Sequence, residues 1–319
     1  MRIVVLGAGG ARKTEASIVR AARTLGHACR LVSAVGWTRL AGPFGHRVAA
    51  YLVESFEPDF LILTRHAINL GEPTIRRIVR ARPTVFWYFD PQPKEKVVQL
   101  GRLVGSMCIT YLAQVGYYRA AGISQVRFLP QAVDPERDAP AESFPPQYGC
   151  DTSFVGSGQY SYRYPILRAV TGVSRLQIRG PGWNGAPPDL PVAGGPVYGK
   201  RLAQVIRGAA ISLGASGHAE QDLDRASASN RMWKILGCGG FYLGPYVRDI
   251  DCFAQDGVHC AWYGDADHAV ELTRQYLQNP DQRQRIAQAG RSHALARHTY
   301  AHRLELLLRG ESYPLPTIL

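Results

Sequence analysis

The sequence predicts an α/β protein built from two doubly wound domains facing a cleft. Three observations carry that expectation. Short apolar, β-branched runs alternate with segments of helical spacing through the first half of the chain. A stretch rich in proline and charge, without periodicity, then interrupts the pattern, and the same alternation restarts behind it. A chain of 319 residues is long for one domain and natural for two of about 150 each.

In the first half, residues 2–6 form the first predicted strand, and 15–25 a helix with Ile18, Val19, Ala22 and Leu25 on one face. Strands are then predicted at 28–32, 60–64, 84–89, 108–111 and 126–129, with helices at 48–56 and 75–80. Strand runs this apolar imply a parallel sheet covered on both faces. Residues 130–149 interrupt the series. The expected division is an N-terminal domain over 1–130, a linker over 131–149 and a C-terminal domain over 150–319. In the second half, strands are predicted at 152–155, 176–179, 210–213 and 241–243, and helices at 165–170, 202–207, 230–237, 266–278 and 280–298. Residues 180–199, dense in glycine and proline, are predicted as a loop. Two such domains place ligands outside the carboxyl ends of their strands, so the cleft between them is the expected site. The tail over 312–319 is expected to cross back onto the first domain.

Composition narrows the function classes. Hydrophobic residues make up 46% and charged residues 19%, which excludes a disordered chain. No run approaches the ~20 apolar residues that span a bilayer, and the N-terminus lacks the charged-then-apolar pattern of a secretion signal. The six cysteines form no C-x-x-C pair, so a reducing, cytoplasmic setting is expected. Net charge is +12, carried mainly by arginine. Arginine-favouring codon usage and solubility account for such a balance. So does a phosphate-rich partner: a nucleotide, nucleic acid or an anionic membrane surface. The basic residues are scattered rather than gathered in a tract, which weakens the nucleic-acid reading.

Several motifs bear on chemistry. Gly7-Ala8-Gly9-Gly10 sits between the first strand and helix, where Gly9 and Gly10 let backbone amides approach an anion or simply make a tight turn. Arg12 breaks the G-x-G-x-x-G spacing, so dinucleotide binding is not expected. Asp90 ends the aromatic strand Phe86-Trp87-Tyr88-Phe89 ahead of Pro91. It is placed for a ligand, for proton transfer or for capping a turn. His66 occupies the equivalent edge of another strand, as a catalytic or a structural histidine. Phe154-Val155-Gly156-Ser157-Gly158, with Arg163 just beyond, suits a diphosphate. In the segment 229–243, Ser229 or Asn230 caps a short helix whose N-terminus offers a phosphate seat, and Gly239-Gly240 turns the chain into a strand. A capped helix packed on a strand explains those glycines but not Asn230-Arg231 at the mouth. Asp265-Ala266-Asp267 reads as a helix cap, Asp249 and Asp251 as loop residues, and His298 with His302 lacks a third ligand, so no metal is expected.

The segment Asn230-Arg231-Met232-Trp233-Lys234-Ile235-Leu236-Gly237-Cys238-Gly239-Gly240-Phe241 resembles the R-x-[FW]-E-x-x-x-x-G-G-F pattern of CgeB-like, spore-maturation-protein-like glycosyltransferases of the group-1 superfamily. Further matches follow in the family's order. They are the aromatic strand ending at Asp90, Leu129-Pro130-Gln131-Ala132-Val133-Asp134, the strand leading to Gly156 and Ser157, Trp262-Tyr263-Gly264-Asp265, Gly290, and His298-Thr299-Tyr300 with Arg303.

The resemblance implies a GT-B fold of two Rossmann-like domains and metal-independent transfer of a sugar from a nucleotide-sugar donor held in the C-terminal domain, with retention as the family's stereochemistry. No cofactor is implied, since the nucleotide sugar is a substrate. By the same resemblance Arg163 and Arg231 are candidates for the diphosphate, Gly239 and Gly240 for close approach to the donor, and Asp90 and His66 for the acceptor side. The family's Glu is replaced here by Lys234, which cannot accept hydrogen bonds from ribose hydroxyls. The acceptors considered are a polysaccharide, a protein, a small metabolite and hydroxymethylated DNA. A sugar-nucleotide epimerase on the same scaffold and a non-catalytic binding protein stand as alternatives.

Overall fold

The structure, a computed structural model, describes residues 1–80, 82–90, 92–215 and 227–315. The chain divides into two compact units. Unit 1 comprises Met1–Gln131 and the described residues from Tyr300 on, and unit 2 comprises Ala132–Thr299.

Unit 1 holds a six-stranded parallel sheet of order β2-β1-β3-β4-β5-β6. Its strands are β1 (Arg2–Gly7), β2 (Ala28–Ser33), β3 (Phe60–Thr64), β4 (Thr84–Tyr88), β5 (Ser106–Ile109) and β6 (Gln125–Phe128). The flanking helices are α1 (Thr14–Thr24), α2 (Ala34–Glu54), α3 (Gly71–Val79), α4 (Glu95–Val104) and α5 (Val115–Ala120). Ile3, Val4, Val5 and Leu6 are all fully buried, as befits a strand covered on both faces. The order reverses between β1 and β3, and the ends of those two strands meet at this switch point.

The helix predicted at 48–56 starts instead at Ala34. Ala41 and Gly42 leave helical geometry, Gly42 at φ +50°, and Pro43 follows, so two helical stretches with one interruption hid their common period. Helices α4 and α5 were not predicted. The buried Val97, Val98 and Leu100 of α4 are spread among polar residues, and α5 buries only Tyr118.

Unit 2 holds a second six-stranded parallel sheet, of order β12-β11-β10-β7-β8-β9. Its strands are β7 (Cys150–Val155), β8 (Leu176–Arg179), β9 (Val192–Gly194), β10 (Ala209–Leu213), β11 (Tyr242–Pro245) and β12 (Ala261–Tyr263). Its helices are α6 (Tyr164–Thr171), α7 (Lys200–Gly208), α8 (Asn230–Gly237), α9 (Ala266–Gln278) and α10 (Pro280–Arg297). Here the order reverses between β7 and β10. β9 lies inside the stretch predicted as loop, and β12 was not predicted.

The domain boundaries differ from those expected at 131–149 and 150–319. Residues from Ala132 on belong to unit 2: the Val133 N–H donates to the His298 carbonyl at 2.8 Å, and Asp134 and Asp138 are buried. The last helix, α11 (Tyr300–Arg309), belongs to unit 1 instead. Its buried Arg303 donates through Nε to the Pro130 carbonyl at 3.2 Å and lies over the Tyr313 ring, while Tyr300 meets Trp87 edge-on. The Tyr313 N–H donates to the Phe128 carbonyl at 2.7 Å, so the described part of the tail packs on unit 1 as expected, while residues 316–319 lie outside the described residues. Among the described residues no helix is long and apolar enough to cross a membrane.

Candidate functional site

In unit 2 a pocket of about 200 Å³ opens where β7, β8 and β10 end and α7 and α8 pack over them. β7 contributes Ser153 and Val155, the loop after it Gly156 and Ser157, and β10 contributes Ser212. Ser153 and Ser212 are cross-strand neighbours in register, each 3% exposed. Among the described residues the Ser212 hydroxyl has no hydrogen-bond partner, so a buried polar group faces the pocket unsatisfied. Val197, Leu202, Ile206 and Ile235 supply an apolar wall.

The glycines at the pocket rim answer to packing. A Cβ on Gly156 would stand 2.5 Å from Nη2 of Arg231 and 2.8 Å from the Phe154 ring. A Cβ on Gly180 would run into the Gly156 carbonyl, which also accepts from Trp183 Nε1 at 2.9 Å. The loops after β7 and β8 are therefore locked together, and Gly156 leaves room for one particular side chain, that of Arg231.

Helix α8 brings the cations. Ser229, not Asn230, is its cap: the Ser229 hydroxyl accepts from the Met232 N–H at 3.3 Å. Arg231 donates through Nε to the Val155 carbonyl at 2.7 Å and through Nη1 to the Ala215 carbonyl at 3.0 Å, with its guanidinium 4.5 Å from the Phe154 ring centroid. Its pKa is lowered, by burial above all, with the Tyr242 and Tyr263 hydroxyls opposing. Lys234 follows at i+3 on the same lining. Burial lowers its pKa, and the nearby Asp138 carboxyl offsets part of that. Asp138 is itself buried, which raises its pKa, and one oxygen accepts from the Asp134 N–H at 3.0 Å. Among the described residues the pocket lining thus holds Arg231 and Lys234 and no carboxylate. That balance calls for an anion.

Of the residues the sequence singled out in this half, Gly156, Ser157, Arg231 and Lys234 come together in the lining. Arg163, Asn230, Gly239 and Gly240 lie outside it. Arg163 is buried beneath the loop, donating through Nη1 to the Ser157 carbonyl at 2.6 Å with its guanidinium over the Tyr160 ring. It braces the rim. Gly239 takes φ +75° in the turn after α8. A Cβ on Gly240 would strike Ile206 and press on Ile235, two residues of the apolar wall. Gly240 is thus a packing position and Gly239 a turn position. Asp265 is the predicted cap of α9, accepting from the His268 N–H at 2.8 Å.

In unit 1 the ends of β1, β3 and β4 gather a second group. Asp90 is ion-paired with Arg65. His66 is half-buried in the turn after β3. Its pKa is lowered, by burial first and then by Arg65 and Lys13, against Glu15 and Asp90. A neutral imidazole at pH 7 can accept a proton. Glu15, which the sequence reading passed over, organises the glycine loop. It is 4% exposed, and its Oε1 accepts from the Ala8 N–H at 2.9 Å and from the Thr64 hydroxyl at 2.6 Å. The Ala8 amide is thereby spent inside the protein. A Cβ on Gly7 would collide with Thr64 and Glu15, and one on Gly9 would stand 2.5 Å from the Ser33 hydroxyl, so these glycines too are packing positions. Gly10 turns the chain at φ +109° with open space around it.

Residues 163–309 match the family described as glycosyl transferase-like. No curated protein sequence matches the chain. Among solved structures, an alpha-glucosyltransferase in complex with UDP-glucose and DNA containing an abasic site is 11% identical, with a TM-score of 0.71, covering 97% of this chain and 98% of that one. Anabaena Alr3699/HepE in complex with UDP-glucose is 11% identical, with a TM-score of 0.64, covering 97% and 98%. AviGT4, a glycosyltransferase involved in avilamycin A biosynthesis, is 16% identical, with a TM-score of 0.59, covering 98% and 100%. The chain therefore has the GT-B fold, with two Rossmann-like sheets, and carries a glycosyl transferase-like domain.

Proposed function

We propose that this glycosyltransferase moves a sugar from a nucleotide-sugar donor to a hydroxyl acceptor, with the donor's diphosphate seated in the unit 2 pocket. The observation that carries the reading is the pairing of Arg231 and Lys234 on one wall of a switch-point pocket whose lining, among the described residues, has no carboxylate. Breaking the bond between sugar and diphosphate leaves negative charge on the departing phosphate. Fixed cations already in place stabilise that charge without reorganising, which is how a transferase proceeds without a metal. Nη2 of Arg231, over Gly156, and the ammonium of Lys234 are the groups for that task. In unit 1 the neutral His66 imidazole is proposed to receive the acceptor's hydroxyl proton, with Asp90 and Glu15 favouring the charged form it then takes.

The solved structures that hold UDP-glucose support a uridine nucleotide as donor. Among group-1 enzymes, the CgeB-like subgroup is proposed from the order of its motifs along this chain. Hydroxymethylated DNA is one acceptor class, favoured by the net charge of +12 and by the neighbour bound to DNA. A shared transferase family match weighs against the epimerase reading.

The test is release of free nucleoside diphosphate from UDP-sugars presented with candidate acceptors, followed by analysis of the sugar product. Transfer that Lys234→Met and Arg231→Gln each reduce by about a hundredfold supports the reading, a loss typical of groups that stabilise transition-state charge. Epimerised sugar nucleotide without transfer, or turnover unchanged by both substitutions, contradicts it.

A further inference from the structure

The kinked helix α2 of unit 1 carries its least conventional surface. Its exposed positions are Val35, Gly36, Arg39 and Leu40 before the kink and Pro43, Phe44, Arg47 and Tyr51 after it, each set at helical spacing. The opposite side, with Ala34, Gly45, Ala49, Ala50 and Val53, is buried on the sheet. A surface helix usually turns charge to solvent and apolar groups inward. Here the solvent side is apolar too: Leu40 is 76% exposed, Phe44 65% and Tyr51 66%. The only charges on that side are Arg39 and Arg47; the helix's single acid, Glu54, stands at its last position and is paired with Arg77 at 2.6 Å. The stretch is also firmly held. Ser33 caps it through the Gly36 N–H at 2.9 Å, and the Thr38 hydroxyl donates to the Asn69 carbonyl at 3.2 Å. The stretch that presents Leu40 is thus anchored.

We infer that the outer side of α2 docks on an anionic lipid surface, with Leu40 and Phe44 entering the headgroup–acyl boundary and Arg39 and Arg47 paired with lipid phosphates. Large apolar side chains flanked by arginine and free of acids match that environment, where guanidinium groups stay at headgroup depth while rings and methyls go deeper. Nucleic acid fits less well. A duplex is held by a row of cations on phosphates, whereas most of this side would lay apolar surface against a highly charged polymer. The contact is one of surface attachment, since no described helix is long and apolar enough to cross.

The experiment is co-sedimentation of the full chain with vesicles of phosphatidylcholine alone, or with equal parts of phosphatidylglycerol, at a salt concentration of ~50 mM. Binding to the anionic vesicles, roughly tenfold or more above the neutral ones, is expected. Leu40→Asn with Phe44→Asn is expected to weaken it by about tenfold or more at an unchanged thermal midpoint, and Arg39→Gln with Arg47→Gln to bring it toward the neutral-lipid level. Phe44→Trp supplies a readout that needs no loss of function, with emission shifting to the blue when anionic vesicles are added. Absence of binding by the native chain, binding that neither double variant changes, unshifted Trp emission, or displacement from vesicles by short duplex DNA through the same residues would each overturn the inference.

Discussion

The Nε–H of Arg231 donates to the carbonyl of Val155 at 2.7 Å, joining residues 76 positions apart and fixing α8 against the end of β7. Together with the Nη1 bond to the Ala215 carbonyl and the Phe154 face, it holds the guanidinium in one orientation, with Nη2 turned toward Gly156. Arg231→Lys keeps the charge but cannot serve both carbonyls. It is expected to cost about 2–3 kcal/mol in denaturant unfolding, the size of hydrogen bonds to a charged group. It should also weaken nucleotide binding by about tenfold, since a Lys ammonium is a point charge rather than a planar fork.

Gly156→Ala tests the packing at the rim. The new methyl would meet both Nη2 of Arg231 and the Phe154 ring, and Arg231 is pinned by its two carbonyl partners. Overpacking of this kind costs about 1–3 kcal/mol. The expected result is a lower unfolding midpoint together with weakened nucleotide binding, measured by calorimetric titration. Gly185→Ala, where no atom lies within 4 Å of the added methyl, is the control expected to change neither.

Lys234 gives a pH dependence of binding. Its pKa is lowered in the free protein, so an arriving anion raises it again and binding takes up a proton. Affinity for a nucleoside diphosphate should fall as pH rises through the lowered value, and Lys234→Met should flatten the profile. Lys234→Glu restores the residue that the resembling family uses, but places a carboxylate beside the diphosphate. It is expected to weaken binding by about tenfold or more. A gain of turnover in that variant would favour the non-catalytic reading of the native chain.

The histidines of α10 and its neighbours predict acid sensitivity. His259 and His293 stack with ring centroids 4.0 Å apart, and His293 Nε2 meets His298 Nε2 at 3.1 Å. Burial lowers the pKa of both His259 and His293 from the ordinary 6.5. Between the lowered values and 6.5 the unfolded chain binds more protons than the folded one. Their contribution to stability is therefore full above 6.5 and is lost as pH falls below it. Unfolding midpoints measured from about pH 8 down to about pH 5 should decline below the ordinary histidine range. His293→Gln should reduce that slope.

Glu15 predicts the cost of losing the loop's anchor in unit 1. Glu15→Ala strands the Ala8 N–H and the Thr64 hydroxyl in a buried setting and should destabilise by about 2–4 kcal/mol. Glu15→Gln retains an acceptor and should cost less.

Where one stretch of sequence contains all the forces that shape it, the fold is readable from that stretch. The strands β1, β3 and β4 are near-continuous apolar runs, and α8 over Asn230–Gly237 matches its predicted bounds because its cap, apolar positions and glycine turn are contiguous. The first half of α2 was hidden because Gly42 and Pro43 break its period. β9 and β12, three residues each, are too short to alternate visibly. At the site, residue types were legible but roles were not. Arg163 and Arg231 are alike in sequence, and only packing makes one a brace and the other a pocket wall. The Ser153–Ser212 pair needs cross-strand register to appear, and Glu15 needs partners 7 and 49 residues away.

The measurement that bears most directly on the donor site is the unfolding midpoint of the native chain and of Arg231→Lys with UDP, GDP, ADP, CDP and dTDP and their sugar conjugates. A ligand at 100 times its dissociation constant adds ~2.7 kcal/mol, enough to raise the midpoint by a few degrees. Such a rise is expected with UDP and UDP-sugars in the native chain, and about half of it in Arg231→Lys if binding there is tenfold weaker. No rise with any nucleotide, or an equal rise in both proteins, would contradict the proposed donor site.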